Sequence, residues 1–154
     1  MILRVIDFQT LTSNYKNYKD GVSKIKEKEK EFLKKIEPIK KEMNEIIKYA
    51  QSGLIVDEKS QKAKSEKFQQ LQQEALSLDN DFKFEIKKMS DDLNEKCYDE
   101  LSDIIEKWSI DNKIDLVIGK MEVVFNKAEF ESTGDILEIL KEKNLFVEHE
   151  EKQE

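Results

Sequence analysis

The residues able to do chemistry are few, and they stand apart. His149 is the only histidine and sits in the acidic stretch EHEEKQE, where it reads as a water-exposed terminal residue. Cys97 is the only cysteine and falls among apolar residues at helical spacing. It reads as a small buried hydrophobe, because a nucleophilic thiolate needs a base beside it. One cysteine also excludes an intramolecular disulfide. The acid pairs Asp91-Asp92 and Glu150-Glu151 read as solvated surface charge rather than cation ligands. Four glycines scattered over 154 residues cannot build a phosphate-cradling loop. No constellation for catalysis is present, and the chain is expected to be a non-enzyme that uses no cofactor and no metal.

What remains is contact chemistry. The run KIKEKEKEFLKK (Lys24 to Lys35) has the lysine density of a nucleic-acid contact, but its interleaved glutamates pair with those lysines along a helix. From Lys16 to Ala50 there are eleven lysines against seven acids, and from Asp91 to Glu154 eight lysines against nineteen acids. A moderately basic first helix on an acidic remainder does not make a nucleic-acid binder. No run of ~18 apolar residues exists, so no membrane insertion is expected. The phenylalanines carry more information. Phe32 and Phe82 suit a seam between helices. Phe82 and Phe84 cannot share that seam, because residues two apart on a helix point about 200° from each other. Phe84 is therefore the leading candidate for an exposed apolar contact, with Phe68 and Phe32 as further candidates.

The elements that must position these residues are mostly helical. Charged residues make up 40% of the chain and glycine and proline together only five residues, a composition of long solvated helices. Such helices bury little per residue, so association between chains is the natural remedy. Ile2 to Phe8 is short and rich in branched residues and reads as a strand. Thr10 to Asn14 offers helix-start or turn residues, and Gly21 reads as a break or kink ahead of the long helix. From Val22 a heptad runs through Glu29, Ile36, Met43 and Ala50 at one position and Ile25, Phe32, Ile39 and Ile46 at the other. Pro38 lies inside it and predicts a kink or flex point, because proline removes the bond to the Lys34 carbonyl. Between Ala50 and Ser60, Gly53 reads as a helix stop and Asp57 as the cap of the next helix. From Phe68 to Trp108 apolar residues recur at threes and fours, which predicts a second helix of ~50 residues, roughly 75 Å long. Two helices joined by a short turn run antiparallel.

After this hairpin, Ile114–Ile118 and Val123–Phe125 read as two strands of a β-hairpin, parted by a turn that begins at Gly119-Lys120. A short helix follows in ESTGDILEILKEKN, with Ser132 and Asp135 at capping-box spacing and Ile136, Leu137 and Leu140 as its apolar face. The expected class is α+β, mostly α. A body built from residues 1–15 and 113–142 would carry a helical-hairpin tentacle over 16–112, its tip near 51–58, with 143–154 as an acidic tail. Three short strands and a short helix bury little, so several copies are expected to assemble through the body. Body and contact candidates are Val5, Ile6, Leu116, Val117, Ile118, Val123, Val124 and Phe125.

Both ends of the chain resemble the Skp (OmpH-like) family. RVIDFQTL (Arg4 to Leu11) looks like that family's opening strand, and IDLVIGKMEVVFNKAEFESTGDILEIL (Ile114 to Leu140) is similar to its closing segment. The resemblance implies a homotrimer with a small β body and three helical tentacles, acting as an ATP-independent holdase that binds unfolded client proteins. A structural or adapter coiled coil docking one fixed partner is the alternative. A prefoldin-like subunit fits less well, because there the strands lie between the helices and here they lie at the two ends. The opening MILRVIDFQTL, with Arg4 inside the apolar run, an early Asp7 and no small-residue cleavage site, does not read as a signal peptide. The cytoplasm is the expected compartment for the chain as it stands, and the periplasm if a leader has been removed.

Overall fold

The computed structural model describes residues 1–54 and 57–147. Its order is β1 (Leu3–Ile6), α1 (Phe8–Ser13), α2 (Lys16–Gln51), α3 (Glu58–Asp111), β2 (Leu116–Gly119), two 3-10 turns at Lys120–Glu122 and Ala128–Phe130, and α4 (Thr133–Glu142). The class is α+β and mostly α, with a long helical hairpin and a small two-stranded sheet. The chain forms two compact units, Lys24–Met89 and Met1–Ser23 together with the chain from Ser90 onward.

In the unit that holds both chain ends, β1 stops earlier than its branched residues suggest. Asp7 turns the chain and accepts a hydrogen bond from the Thr10 backbone N–H at 3.1 Å, capping α1. Phe8 is therefore the first helical residue rather than the end of a strand. Thr10 to Ser13 lie inside α1 instead of opening a helix, and Asn14 closes it. Tyr15 is buried, and α2 starts at Lys16, whose N–H donates to Leu145 O at 2.8 Å. Gly21 does not break α2. A Cβ placed there would lie 2.2 Å from Leu93 Cδ1, so this glycine lets the helix approach the Leu93 side chain.

The late β-hairpin does not form. β2 pairs parallel with β1 in the register Leu3↔Leu116 to Ile6↔Gly119. Val123–Phe125, read as a second strand, belongs to no strand. The chain leaves Gly119 through a 3-10 turn rather than a two-residue hairpin turn, so it is not folded back along β2. It returns instead at Glu131, which bridges Val5 on the other edge of β1, with Ser132 N–H donating to Val5 O at 2.9 Å. The first strand thus takes the central place.

The capping box at Ser132 and Asp135 is also absent. Ser132 occupies the cap position, but its side chain makes no capping bond. Thr133 performs the local tie: its Oγ1 accepts from the Asp7 N–H at 2.8 Å and donates to the Glu131 carboxylate. Ile136 and Leu140 are fully buried, as their spacing predicts, and Leu137 packs against the same cluster. α3 and α4 end alike. Ile114 N–H reaches Ser109 O at 2.9 Å, and Leu145 N–H reaches Leu140 O at 2.8 Å, across Lys113 and Asn144 at φ of 54° and 57°. These are Schellman-type stops made without glycine.

Residues 143–147, read as the start of the tail, are folded. Val147 is buried and its N–H donates to Asn14 O at 2.9 Å, and Phe146 bridges Tyr15. The core thus joins Ile6, Leu11, Tyr15, Cys97, Leu101, Ile136 and Leu140 from five segments. His149 and the rest of the acidic tail lie outside the described residues, as do positions 55 and 56 of the expected tip. At either side of the latter, Gly53 adopts φ 68° after α2 ends, and Asp57 Oδ1 accepts from the Ser60 N–H at 2.7 Å to cap α3.

Candidate functional site

In Lys24–Met89 the α2 and α3 segments pair antiparallel. Lys28 meets Glu85 at 3.2 Å, the Phe32 and Phe82 rings stack at 4.1 Å, Glu42 meets Lys67 at 3.7 Å, and Lys64 lies 4.1 Å over the Tyr49 ring. From the first pair to the last, twenty-one residues forward along α2 are matched by twenty-one residues back along α3. Ile36, Ile39 and Leu71 are buried in this seam. The heptad seam holds except at Glu29 and Ala50, which are exposed. Helix α2 continues through Pro38, which is exposed.

The three candidate phenylalanines have different surroundings. Phe32 is engaged with Phe82 inside the seam. Phe84 is 73% exposed, two residues beyond Phe82 and on the far side of α3. Phe68 is half-buried and lines an open cavity of about 420 Å³ with Ile46, Ile47, Ala50, Leu54 and Lys64. Leu33, Leu76 and Leu54 are also exposed here. Sequence reasoning missed Leu33 and Leu76, although each stands one residue past a seam position, where a polar residue is ordinary.

The body candidates divide into buried and exposed. Val5 and Ile6 are buried in their own chain. Val117, Ile118 and Val123 are partly buried. Leu116, Val124 and Phe125 are exposed, Phe125 by 80%, and Met121 beside them by 88%. Met121 went unnoticed in the sequence because it falls inside the expected turn. Leu116 lies in β2, Met121 in the 3-10 turn that follows it, and Val124 and Phe125 in the chain beyond that turn. Among the described residues the sheet has two strands, with Glu131 bridging the far side of β1, so the outer edge of β2 has no strand partner. An unpaired strand edge carrying an exposed apolar residue such as Leu116 is a surface suited to association.

The polar chemistry of this unit is structural. Tyr15 OH donates to Glu100, and Asn17 Nδ2 donates to both at 3.0 Å. Burial, then the Glu100 hydrogen bond and charge, push the Tyr15 phenol well above its usual range. Burial also acts to raise Glu100, but hydrogen bonds from Tyr15 and Asn17 and the nearby Lys96 charge bring it below its ordinary value. Cys97 is buried, and that burial raises its thiol. Among the described residues no cluster of His, Cys, Asp or Glu could hold a metal ion, and no helix is long and apolar enough to cross a membrane.

The two ends of the chain thus form one small parallel sheet, and its middle forms a helical hairpin. The family model for outer membrane protein (OmpH-like) matches residues 3–140, and the chain belongs to that family. Membership supports a chaperone-type function in general. No curated protein matches the chain significantly.

Proposed function

We propose that this protein is an ATP-independent holdase that keeps unfolded or unassembled proteins soluble between the helical hairpins of a homotrimer. The observation that carries this reading is the pairing of a charged helical hairpin, studded with exposed apolar residues, with an open apolar sheet edge in an OmpH-like chain. A holdase works through weak, numerous apolar contacts and a charged surface that keeps the complex in solution, and it requires no catalytic group. Leu116, Met121, Val124 and Phe125 would supply the contacts between copies. Pro38 would be the place where each hairpin flexes to fit clients of different size, because proline leaves the Lys34 carbonyl without its helical donor.

Two measurements test this. The solution mass should be close to three times the 18.2 kDa of one chain, and Phe125→Ser should shift it toward monomer. Light scattering from several unrelated unfolded proteins should fall when the protein is added. A stable monomer, or indifference to all of them combined with one tight partner in a pull-down, would replace the holdase by an adapter. Pro38→Ala should narrow the range of client sizes held; an unchanged range would remove the flex-point role.

A further inference from the structure

The unit that holds both chain ends is strongly acidic: eleven lysines and arginines stand in it against twenty-one acids. One cavity in this unit has the opposite character. It is open, about 650 Å³ in volume, and lies where the start of α2 meets the end of α4. Lys16 and Lys19 line it from α2, and Lys141 and Asn144 from the α4 side. Asp20 is the one acid on its described lining. The backbone holds these parts together. Residues 145–147 run antiparallel to 14–16, with the Lys16 N–H donating to Leu145 O at 2.8 Å and the Val147 N–H donating to Asn14 O at 2.9 Å. Tyr15 and Val147 are buried and anchor this ladder, and Phe146 and Val147 give the cavity its apolar wall.

The three lysines are not equally engaged. The Lys141 ammonium pairs with Glu138 at 2.9 Å and lies 5.0 Å from the centroid of the Phe146 ring. Among the described residues neither Lys16 nor Lys19 has an ion-pair partner. Both stand in the first turn of α2, which holds no acid, so their charges add to the positive end of the helix instead of offsetting it. Like charges gathered at one cavity repel, and a counter-ion entering it relieves that repulsion.

We propose that this cavity takes a small phosphate-bearing anion from solution, held by Lys16, Lys19 and Lys141 with the Asn144 side-chain amide as a further donor. Lysine ammoniums bind phosphate as point charges on flexible stems and need no fixed fork geometry. A phosphate group brings close to two charges on three acceptor oxygens, which answers several lysines at once. Two other occupants fit less well. The acidic segment after Val147 carries Glu148, Glu150 and Glu151, but fixing each of its residues costs more than one exposed ion pair returns. An anionic membrane would bring a whole charged surface against a unit with an excess of acids, whereas a small ion meets only the nearby lysines. The inference stands independently of the holdase reading. Because the lining comes from both ends of the chain, the bound anion would tie the start of α2 to the end of α4 and stabilise the folded unit.

Pyrophosphate, titrated into the unaltered protein at low salt and followed by calorimetry, is the probe. It should bind at a single site per chain with Kd below about 1 mM and raise the melting temperature. Lys16→Gln/Lys19→Gln should weaken binding at least about tenfold, while Asp20→Asn should tighten it by about two- to threefold. These three positions are exposed, so circular dichroism serves as the folding control. No saturable binding, or equal binding by the double-lysine variant, would overturn the assignment. Weaker binding by Asp20→Asn would do the same, since the anion would then lie elsewhere. Glu148→Gln/Glu150→Gln/Glu151→Gln should bind within about fivefold of the unaltered protein. Binding seen in that variant alone would make the chain's own acidic segment the occupant and refute a free ligand. Vesicles of phosphatidylcholine and phosphatidic acid should not carry the protein down on sedimentation. Sedimentation that Lys16→Gln/Lys19→Gln abolishes would make the ligand a lipid headgroup instead, against the proposal.

Discussion

Gly21 offers a sharp test of how the two long helices meet near the chain ends. Replacing a helical glycine by alanine ordinarily stabilises by about 1 kcal/mol. Gly134, in the first turn of α4, is such a site, since a Cβ there meets nothing within 4 Å. At Gly21 the new Cβ would fall 2.2 Å, 2.8 Å and 3.0 Å from three atoms of Leu93, all inside normal contact. Relieving that overlap by moving Leu93 or the helices costs about 1–3 kcal/mol. The net change for Gly21→Ala is thus a loss of up to about 2 kcal/mol, opposite in sign to Gly134→Ala. Urea unfolding followed by circular dichroism at one fixed protein concentration gives both values. Leu93→Ala removes the clashing atoms, so the double variant should recover the difference, with a favourable coupling of about 1–3 kcal/mol between the two sites. A stabilising Gly21→Ala with no coupling to Leu93 would refute the close-approach argument and return Gly21 to an ordinary helix position.

Three further perturbations test the ties that close the sheet. Thr133→Val strips the acceptor from the Asp7 N–H and the donor from Glu131, and should cost about 1–3 kcal/mol in the same unfolding assay. Lys113→Gly relieves a left-handed residue at the α3 stop and should raise stability by up to about 1 kcal/mol. Acid titration follows from three carboxylates. Asp7 is held below 3.8 first by the Thr10 backbone N–H. Glu131 is held below 4.5 first by Thr133. Burial acts to raise Glu100, but its hydrogen bonds from Tyr15 and Asn17 bring it below 4.5. In each case the unfolded chain takes up the proton first. Their stabilisation is therefore complete above about pH 5 and is lost as pH falls through the lowered native values. Melting temperature against pH should be flat near neutrality and drop below about pH 4.5; Asp7→Asn should flatten part of that drop.

Much of the helical architecture was legible in local pattern. The heptad from Val22 placed Ile36 and Ile39 in the seam, and the opposition of Phe82 to Phe84 followed from helical geometry alone. Gly53 and Asp57 announced the turn because their conformational and capping preferences act within a few residues. Where one of several local options had to be chosen, sequence reasoning erred. Val123–Phe125 has the composition of a strand, yet composition does not say which partner is available. Ser132 has the spacing of a cap, yet Thr133 takes the bonds because Asp7 arrives beside it from the other end of the chain. Lys113 and Asn144 stop helices without the glycine that would have marked them.

The sequence by itself determined the long-range plan: two long helices that can bury only a seam, with strand-forming residues at both ends. That follows from periodicity, since three-to-four spacing and branched runs each permit one kind of element. Tertiary structure decided what no residue encodes alone. The parallel pairing of β1 with β2, the return of Glu131 to the far edge of β1 and the close approach at Gly21 all depend on where a distant segment lies. Each is a relation between parts far apart in the chain, and the hydrogen bonds and packing that establish it exist only once those parts have met.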